Sequence, residues 1–111
     1  MKYALLIYGN EQGYANLSEE EGKKLYAEHA AFGEKLGDHA LGGEELRPST
    51  TATSVRWQGA EALVTDGPYA ETTEQLGGFY LVEATDLDEA IGFAKELPTI
   101  SGDVVEVRPV A

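Results

Sequence analysis

Histidine is the side chain best suited to proton transfer near neutral pH, and His29 is placed where it could serve in that way. It lies in series with Leu25, Phe32 and Leu36, at the spacing of one helix face. The apolar members of the series predict that this face points toward a core. A buried histidine is often a neutral structural imidazole with one hydrogen-bond partner. It can equally be a general acid or base that lines a pocket, and the residues alone leave both interpretations open.

A carboxylate at the end of a predicted strand is the second candidate. Asp66 opens the turn Asp66-Gly67-Pro68 after the short apolar stretch 62–65. An aspartate at a turn often caps its own backbone and Gly-Pro restricts the turn, so a structural role explains all three residues. The end of a strand beside a cleft is also where a catalytic or orienting carboxylate would lie. Beside His29, it would fix the tautomer and favour the imidazolium.

Tyrosine is the most frequent aromatic residue, with six tyrosines against three phenylalanines. Tyrosines on buried strands need partners for their hydroxyls, which is typical of a cavity lined by polar groups. Strands at a dimer interface would show the same excess. We expect Tyr8, Tyr69 and Tyr80 to bind the ligand near His29 and Asp66.

No motif indicates a metal or a cofactor. The chain has no cysteine, which excludes a disulfide scaffold, a zinc ribbon and a thiolate nucleophile. The two histidines match no metal-ligand spacing, and nucleotide-binding glycine loops are absent. His39 directly follows the region where Gly37 ends a helix, which is typical of a surface or cap residue. We therefore expect no metal and no cofactor.

The charge balance restricts the partners. Eight Lys and Arg against twenty Asp and Glu give a net charge of −12 at pH 7. Such a surface repels phosphate backbones and anionic lipid, so we expect no nucleic-acid and no membrane partner. The apolar opening, residues 1–8, is too short for a signal peptide or a membrane span. These features favour a cytoplasmic protein with a small-molecule ligand.

Hydrophobic periodicity predicts a single α+β domain, because 111 residues are the usual length of one. The predicted strands span residues 2–8, 40–47, 53–57, 62–65, 79–84 and 104–108. The predicted helices run from a capping box at Ser18 and Glu21 to Gly37, and from a cap at Asp86 to Pro98. This order is the split βαβ arrangement of a ferredoxin-like βαββαβ fold.

Two adjacent glycines, Gly77 and Gly78, directly precede the strongly apolar strand 79–84. They predict a β-bulge or a backbone position with positive φ, which glycine adopts at little cost. They therefore mark a place where the strand departs from regular pairing.

The strand at residues 2–8 is apolar on both faces, and so is the strand at 79–84. In the first, Tyr3, Leu5 and Ile7 alternate with Ala4, Leu6 and Tyr8. Two helices cover only one face of a four- or five-stranded sheet, so the other face needs cover from water. Because two-fold dimers are the commonest soluble oligomers, we predict a homodimer packed sheet to sheet.

The stretch from Val64 to Tyr80, Val-Thr-Asp-Gly-Pro-Tyr-Ala-Glu-Thr-Thr-Glu-Gln-Leu-Gly-Gly-Phe-Tyr, resembles the signature of the YCII-related proteins of the DGPF type. The opening Met-Lys-Tyr-x-Leu-Leu-Ile-Tyr, the helical His29, the Leu46-x-Pro48 segment and the Val-Glu-Val-Arg-Pro close at 105–109 resemble the same family. The resemblance covers essentially the whole chain.

Two positions depart from that family's pattern. Tyr69 stands where the motif usually has Phe, and Thr73 stands where a Lys is common. The first change is mild. The second removes a positive charge that an anionic ligand would meet.

The resemblance implies one domain over residues 1–111, a ferredoxin-like fold that forms a dimeric α/β barrel, and a His–Asp pair that maps onto His29 and Asp66. It is compatible with a cofactor-free enzyme that uses the pair for proton transfer on a small organic molecule, of isomerase, lyase or hydrolase type. The alternative is a ligand-binding or regulatory module without turnover. Such a module would be linked to an extracytoplasmic-function sigma factor, since DGPF proteins are frequently encoded near these factors.

Overall fold

The computed structural model describes residues 1–111 as nine regular elements and two short turns of 3₁₀ helix. The strands are β1 (Lys2–Gly9), β2 (Ala40–Glu45), β3 (Thr53–Gln58), β4 (Glu61–Asp66), β5 (Gln75–Glu83) and β6 (Val104–Pro109). The helices are α1 (Glu11–Ala15), α2 (Glu19–Leu36) and α3 (Leu87–Glu96), and the 3₁₀ turns are Gly37–His39 and Ser49–Thr51. The predicted α+β class is confirmed.

Four of the strands form one antiparallel sheet in the order β2-β5-β1-β6. Consecutive strands β1 and β2 are separated in space by β5, as a split βαβ unit requires. Strands β3 and β4 pair only with each other, as a hairpin inserted between β2 and β5. The arrangement is compatible with a ferredoxin-like fold.

The core lies between one face of the sheet and the helices α2 and α3. Tyr3 and Leu5 of β1 and Val82 of β5 are buried on this face. They pack with residues of the two helices and of the segments that adjoin β5 and α3, namely Phe32, Leu36, Ala84, Ala90 and Leu97. A fully buried Leu or Val side chain stabilises the fold by about 1.5–3 kcal/mol, so these contacts hold the helices on the sheet.

Both long helices begin where the sequence predicts. The backbone N–H of Glu21 donates to the Ser18 hydroxyl at 3.1 Å, and the N–H of Ser18 donates to the Glu21 carboxylate at 2.9 Å. The N–H of Glu89 donates to the Asp86 carboxylate at 2.9 Å. These side chains satisfy backbone donors that a helix start leaves free, which typically contributes about 1 kcal/mol per cap. None of the helices is long and apolar enough to cross a membrane.

The predicted bulge at the glycine pair is confirmed. Ile7 pairs with Gly78 but its neighbour Tyr8 pairs with Leu76, so Gly77 is the extra residue. Neither glycine has a positive φ. Gly78 is required for another reason, because a Cβ there would lie 2.9 Å from the carbonyl oxygen of Glu44 on β2. Because the bulge lets the strand pairing continue through the glycines, β5 begins at Gln75, four residues earlier than predicted.

Helix α1 occupies a segment that has no helical pattern in the sequence. The Asn10 side chain accepts a hydrogen bond from the N–H of Gln12 at 2.9 Å and so begins the helix. The Glu11 carboxylate accepts from the backbone N–H of Ser49 at 2.6 Å and from the Ser49 hydroxyl. A helix of five residues presents too little apolar periodicity to be recognised, and these distant contacts hold it instead.

Two apolar surfaces lie outside the core. On the hairpin, Val55 pairs with Val64, and Val55, Trp57 and Val64 are 56%, 70% and 67% exposed. On the sheet, Ala4 and Leu6 alternate with the core residues of β1 and therefore face away from the helices. The predicted sheet-to-sheet dimer would cover the second of these surfaces.

Candidate functional site

His29 of α2 and Tyr80 of β5 form the centre of the candidate site. The imidazole Nδ1 lies 2.7 Å from the Tyr80 hydroxyl, within hydrogen-bond distance. The two rings are parallel to within 7° with centroids 6.0 Å apart. Phe32, one turn farther along α2, packs nearly perpendicular to the Tyr80 ring, with the ring centroids 5.1 Å apart. The inward position predicted for His29 is therefore confirmed.

The surroundings of the pair keep both groups uncharged near neutral pH. Burial lowers the pKa of His29, and the negative charges of Glu45, Glu28 and Asp103 raise it by less. Burial also raises the pKa of Tyr80, so its hydroxyl keeps its proton. The result is a hydrogen bond between a neutral imidazole and a neutral phenol. The second ring nitrogen, Nε2, has no hydrogen-bond partner in the chain.

A neutral imidazole with one nitrogen held and the other free has the arrangement of a general base. When Nδ1 carries the hydrogen and donates it to Tyr80, the lone pair of Nε2 is left to accept a proton. A pKa on the acid side of neutrality keeps this form populated at pH 7.

The predicted partner of His29 is not in contact with it in this single chain. Asp66 ends β4 on the hairpin, where its side chain is exposed and forms no hydrogen bond or ion pair. The carboxylates whose charge acts on His29 are Glu45, Glu28 and Asp103. The pairing of His29 with Asp66 therefore stays a prediction.

The three predicted ligand tyrosines lie in different surroundings. Tyr80 meets His29 as described. Tyr69 is 81% exposed beside the hairpin, and its backbone carbonyl accepts a hydrogen bond from Arg56 at 3.2 Å. Tyr8 is partly buried on β1, between Leu76 and Val104, and its hydroxyl has no partner. The structure thus brings one of the three to His29.

Two polar residues that the sequence analysis did not single out lie close together at the end of β1. The hydroxyl of Tyr14 on α1 donates to Oδ2 of Asp103, which directly precedes β6. Burial raises the pKa of Tyr14, and the hydrogen bond to Asp103 raises it further. The two residues are 89 positions apart, so no local pattern could have joined them.

The surface also has two grooves near α3. One, of about 350 Å³, lies between α2 and α3 and includes Phe32, Leu36 and Phe93. The other, of about 400 Å³, lies between α3 and β6 and includes Asp103. Neither groove is lined by His29 or Tyr80. No group of three or more His, Asp or Glu residues is arranged to hold a metal ion.

Over its whole length, the chain is similar to one known protein family. The family model of the YCII-related domain matches residues 1–111. An uncharacterized protein of Rhizobium meliloti (strain 1021) is 38% identical over 115 residues. The match takes in 100% of this chain and 93% of that protein.

Proposed function

The chain belongs to the YCII-related family, and we propose that it is a cofactor-free enzyme in which His29 transfers a proton on a small organic molecule. The observation that carries the proposal is the hydrogen bond of 2.7 Å between Nδ1 of His29 and the Tyr80 hydroxyl. It orients an imidazole that burial keeps neutral and leaves Nε2 free. A family match by itself does not assign a reaction, so the argument rests on these two residues.

The proposed step is the removal and return of one proton. Nε2 accepts a proton from a carbon or oxygen of the substrate, and the resulting imidazolium gives it back at the same or another atom. Tyr80 accepts the hydrogen bond from Nδ1–H in both charge states, so the ring does not have to turn during the step. Isomerisation, elimination and hydrolysis of an activated substrate all need such a step.

Asp66 is the proposed second group of the pair. A carboxylate that approached His29 would favour the imidazolium formed during the step. Asp66 is the last residue of β4 in the hairpin, and Tyr69 follows it closely. The hairpin exposes Val55, Trp57 and Val64 to water, and an exposed apolar patch of this kind is typical of a protein–protein contact. We propose that the hairpin reaches its functional position when two copies associate, and that Tyr8 and Tyr69 then contribute to ligand binding.

The same reasoning supports a homodimer packed through the sheet. The face of β1 that carries Ala4 and Leu6 points away from both long helices, and Leu6 lies beside Phe79 of β5. Covering such a face with that of a second copy buries apolar area on both chains. The dimeric α/β barrel is the form that this packing would take.

A solvent-exchange experiment tests the proposed chemistry before the substrate is known. The protein is incubated in D₂O with a set of small ketones, 2-oxo acids and enolisable esters, and each compound is examined for added deuterium by mass spectrometry. Transfer of a proton to and from Nε2 exchanges it with solvent, so a substrate gains deuterium. We expect this gain with the unaltered protein and its loss in His29→Gln.

The matched control is His39→Gln, because His39 is exposed and its Nδ1 lies 2.9 Å from the Glu83 carbonyl, away from the site. This variant should exchange deuterium like the unaltered protein. A compound that shifts the NMR signals of His29 on binding, yet gains no deuterium and is not converted, would contradict the enzymatic proposal. That result would support the alternative of a ligand-binding or regulatory module.

A further inference from the structure

The hairpin of β3 and β4 extends from the body of the molecule. Its strands pair only with each other, and none of its residues is among the core residues or the apolar side chains that pack on the core. Every residue of the two strands is exposed except Ser54, which is partly buried. The radius of gyration of the chain is 15.8 Å, above the value of about 13 Å for a compact domain of roughly 100 residues. A two-stranded hairpin alone is at best marginally stable in water, so this one needs a surface to pack against.

Hydrogen bonds hold the base of the hairpin in place. The Glu11 carboxylate of α1 accepts from the backbone N–H of Ser49 at 2.6 Å, in the segment that leads into β3. The N–H of Gly67 donates to the carbonyl of Ala52, and the Ser54 hydroxyl donates to the carbonyl of Gly67, both at 2.7 Å. These bonds restrict the direction in which the hairpin leaves the body. A partner would therefore meet an arm that is already positioned, which lowers the entropic cost of binding.

One face of the hairpin is apolar. Paired residues of antiparallel strands share a face, so the strand register assigns three pairs to this one. They are Val55 with Val64, Trp57 with Ala62, and Thr53 with Asp66. The charged residues Arg56 and Glu61 lie on the opposite face. The apolar face therefore contains a single charge, that of Asp66 at the end of β4.

The charge of the chain favours a second copy as the occupant of this face. At a net charge of −12, two copies repel each other unless they meet at surfaces that carry little charge. The apolar face of the hairpin is such a surface, whereas a basic partner attracted by the net charge would bind where the carboxylates are. The open face of the sheet around Leu6 is a second surface of this kind, and the proposed dimer already brings another copy to it.

We propose that the apolar face of the hairpin docks on a second copy of this chain, with Trp57 as its anchor and Asp66 turned toward that copy. Tryptophan side chains are the most frequent anchors of protein interfaces, and Trp57 is 70% exposed in the single chain. Asp66 lies on the docking face, so its carboxylate meets the second copy and not its own His29. The inference rests on the proposed function and deepens it, because it makes the His29–Asp66 pair a contact between two chains.

Tryptophan fluorescence tests the docking without a substrate, because Trp57 is the only tryptophan of the chain. In the purified protein at micromolar concentration, we expect its emission to shift to shorter wavelength than in the chain unfolded by denaturant. Acrylamide should also quench the native protein less. Sedimentation of the same samples reports the oligomeric state. A dimer whose Trp57 is quenched as freely as in the unfolded chain would overturn the inference, and so would a protein that stays monomeric.

Trp57→Ser and Leu63→Ser form a matched pair, because the two side chains lie on opposite faces of the same hairpin. Both residues are exposed, so both variants should fold. We expect Trp57→Ser to raise the dissociation constant of the dimer about tenfold or more, as the loss of an aromatic anchor does, and Leu63→Ser to change it less than about twofold. Equal dissociation constants of the two variants would overturn the inference.

Mixing two variants tests whether Asp66 acts on the other chain. His29→Gln and Asp66→Asn each lack one member of the pair, but a mixed dimer has one site with both members if the pair joins two chains. After dissociation and reassociation, we expect the mixture to regain about a quarter of the deuterium exchange, since half of randomly formed dimers are mixed. No regain in the presence of mixed dimers would overturn the contact between chains. A buried Trp57 in a protein that exchanges no proton with any compound would refute the proposed function alone.

Discussion

His29 Nδ1 lies 2.7 Å from the Tyr80 hydroxyl, and the two rings are parallel to within 7°. This contact joins the middle of α2 to β5, a strand at the centre of the sheet, across 51 residues of sequence. Phe32 packs on the same tyrosine from the next turn of the helix. The imidazole is therefore held by a hydrogen bond on an aromatic side chain that is itself fixed by packing.

Removing the Tyr80 hydroxyl tests how much its hydrogen bond with His29 contributes to stability and to proton transfer. We expect Tyr80→Phe to keep the fold and the ring packing, and to lower the free energy of unfolding by about 0.5–1.5 kcal/mol, the usual net contribution of one hydrogen bond. Proton exchange into a substrate should slow by roughly 10–100-fold, because the ring is no longer held in one orientation. Chemical denaturation and the deuterium assay measure the two effects.

The control for this change is Tyr26→Phe on the same helix. Tyr26 is 75% exposed and its hydroxyl has no partner, so its loss should alter neither quantity. If Tyr80→Phe and Tyr26→Phe had the same free energy of unfolding and the same exchange rate, the hydrogen bond to His29 would contribute to neither stability nor proton transfer.

Replacing the proposed base tests the reaction directly. We expect His29→Gln to reduce turnover by roughly 10²–10⁴-fold, the usual contribution of a general base, without loss of the folded structure. Asp66→Asn should reduce turnover within the same range if the predicted pair forms. Circular dichroism checks folding and initial rates check turnover. Full activity of Asp66→Asn would remove Asp66 from the site and leave His29 with Tyr80 as its partner.

The sequence predicted most of the fold because the signals that form it are local. The capping box at Ser18 and the cap at Asp86 lie within three or four residues of the groups they satisfy. The alternation of Tyr3 and Leu5 with Ala4 and Leu6 assigns the faces of β1. Each of these features is encoded in one segment, and a single sequence suffices to recognise it.

The candidate site was predicted only in part, because its contacts join distant segments. The helical spacing of His29 showed that it faces inward, but no local rule indicates that Tyr80 is its partner. Tyr14 and Asp103 lie in a short helix and a loop, both without periodicity. Asp66 was singled out from its turn motif, which describes the local backbone and says nothing of what the side chain meets.

The stability of the protein should depend on pH through His29. Burial lowers the pKa of this imidazole below its ordinary value of 6.5. Between pH 6.5 and the lower folded-state pKa, the unfolded chain binds more protons than the folded chain. The contribution of the neutral imidazole is therefore complete above pH 6.5 and is lost as the pH falls through the folded-state pKa.

The measurement is the free energy of unfolding of the unaltered protein and of His29→Gln from about pH 8 to about pH 5. The many carboxylates titrate in both proteins, so the difference between them isolates His29. We expect the unaltered protein to lose stability relative to His29→Gln as the pH falls. A difference that stays constant over the range would show that the imidazole titrates alike in the folded and unfolded chain.

The two glycines of the bulge should respond differently to substitution. A Cβ at Gly78 would lie 2.9 Å from the backbone oxygen of Glu44, whereas at Gly77 the nearest atom is 3.9 Å away. We expect Gly78→Ala to lower the free energy of unfolding by about 1–3 kcal/mol, because a backbone atom of β2 must move. Gly77→Ala should change it much less. Comparable losses in the two variants would indicate that the bulge itself, and not the approach of β2, requires glycine.

The last prediction concerns the uncovered face of the sheet. Leu6 lies at the centre of this face, between Phe79 of β5 and Glu106 of β6. We expect the unaltered protein to sediment as a dimer at micromolar concentration and Leu6→Lys to sediment as a folded monomer. Burying an ammonium between two sheets opposes association even beside Glu106, since that carboxylate is already paired with Arg108. Tyr26→Lys changes the net charge equally but lies on the exposed side of α2, so it should remain a dimer. A stable 11.9 kDa monomer of the unaltered protein would contradict the dimer and, with it, the proposed delivery of Asp66 by the hairpin.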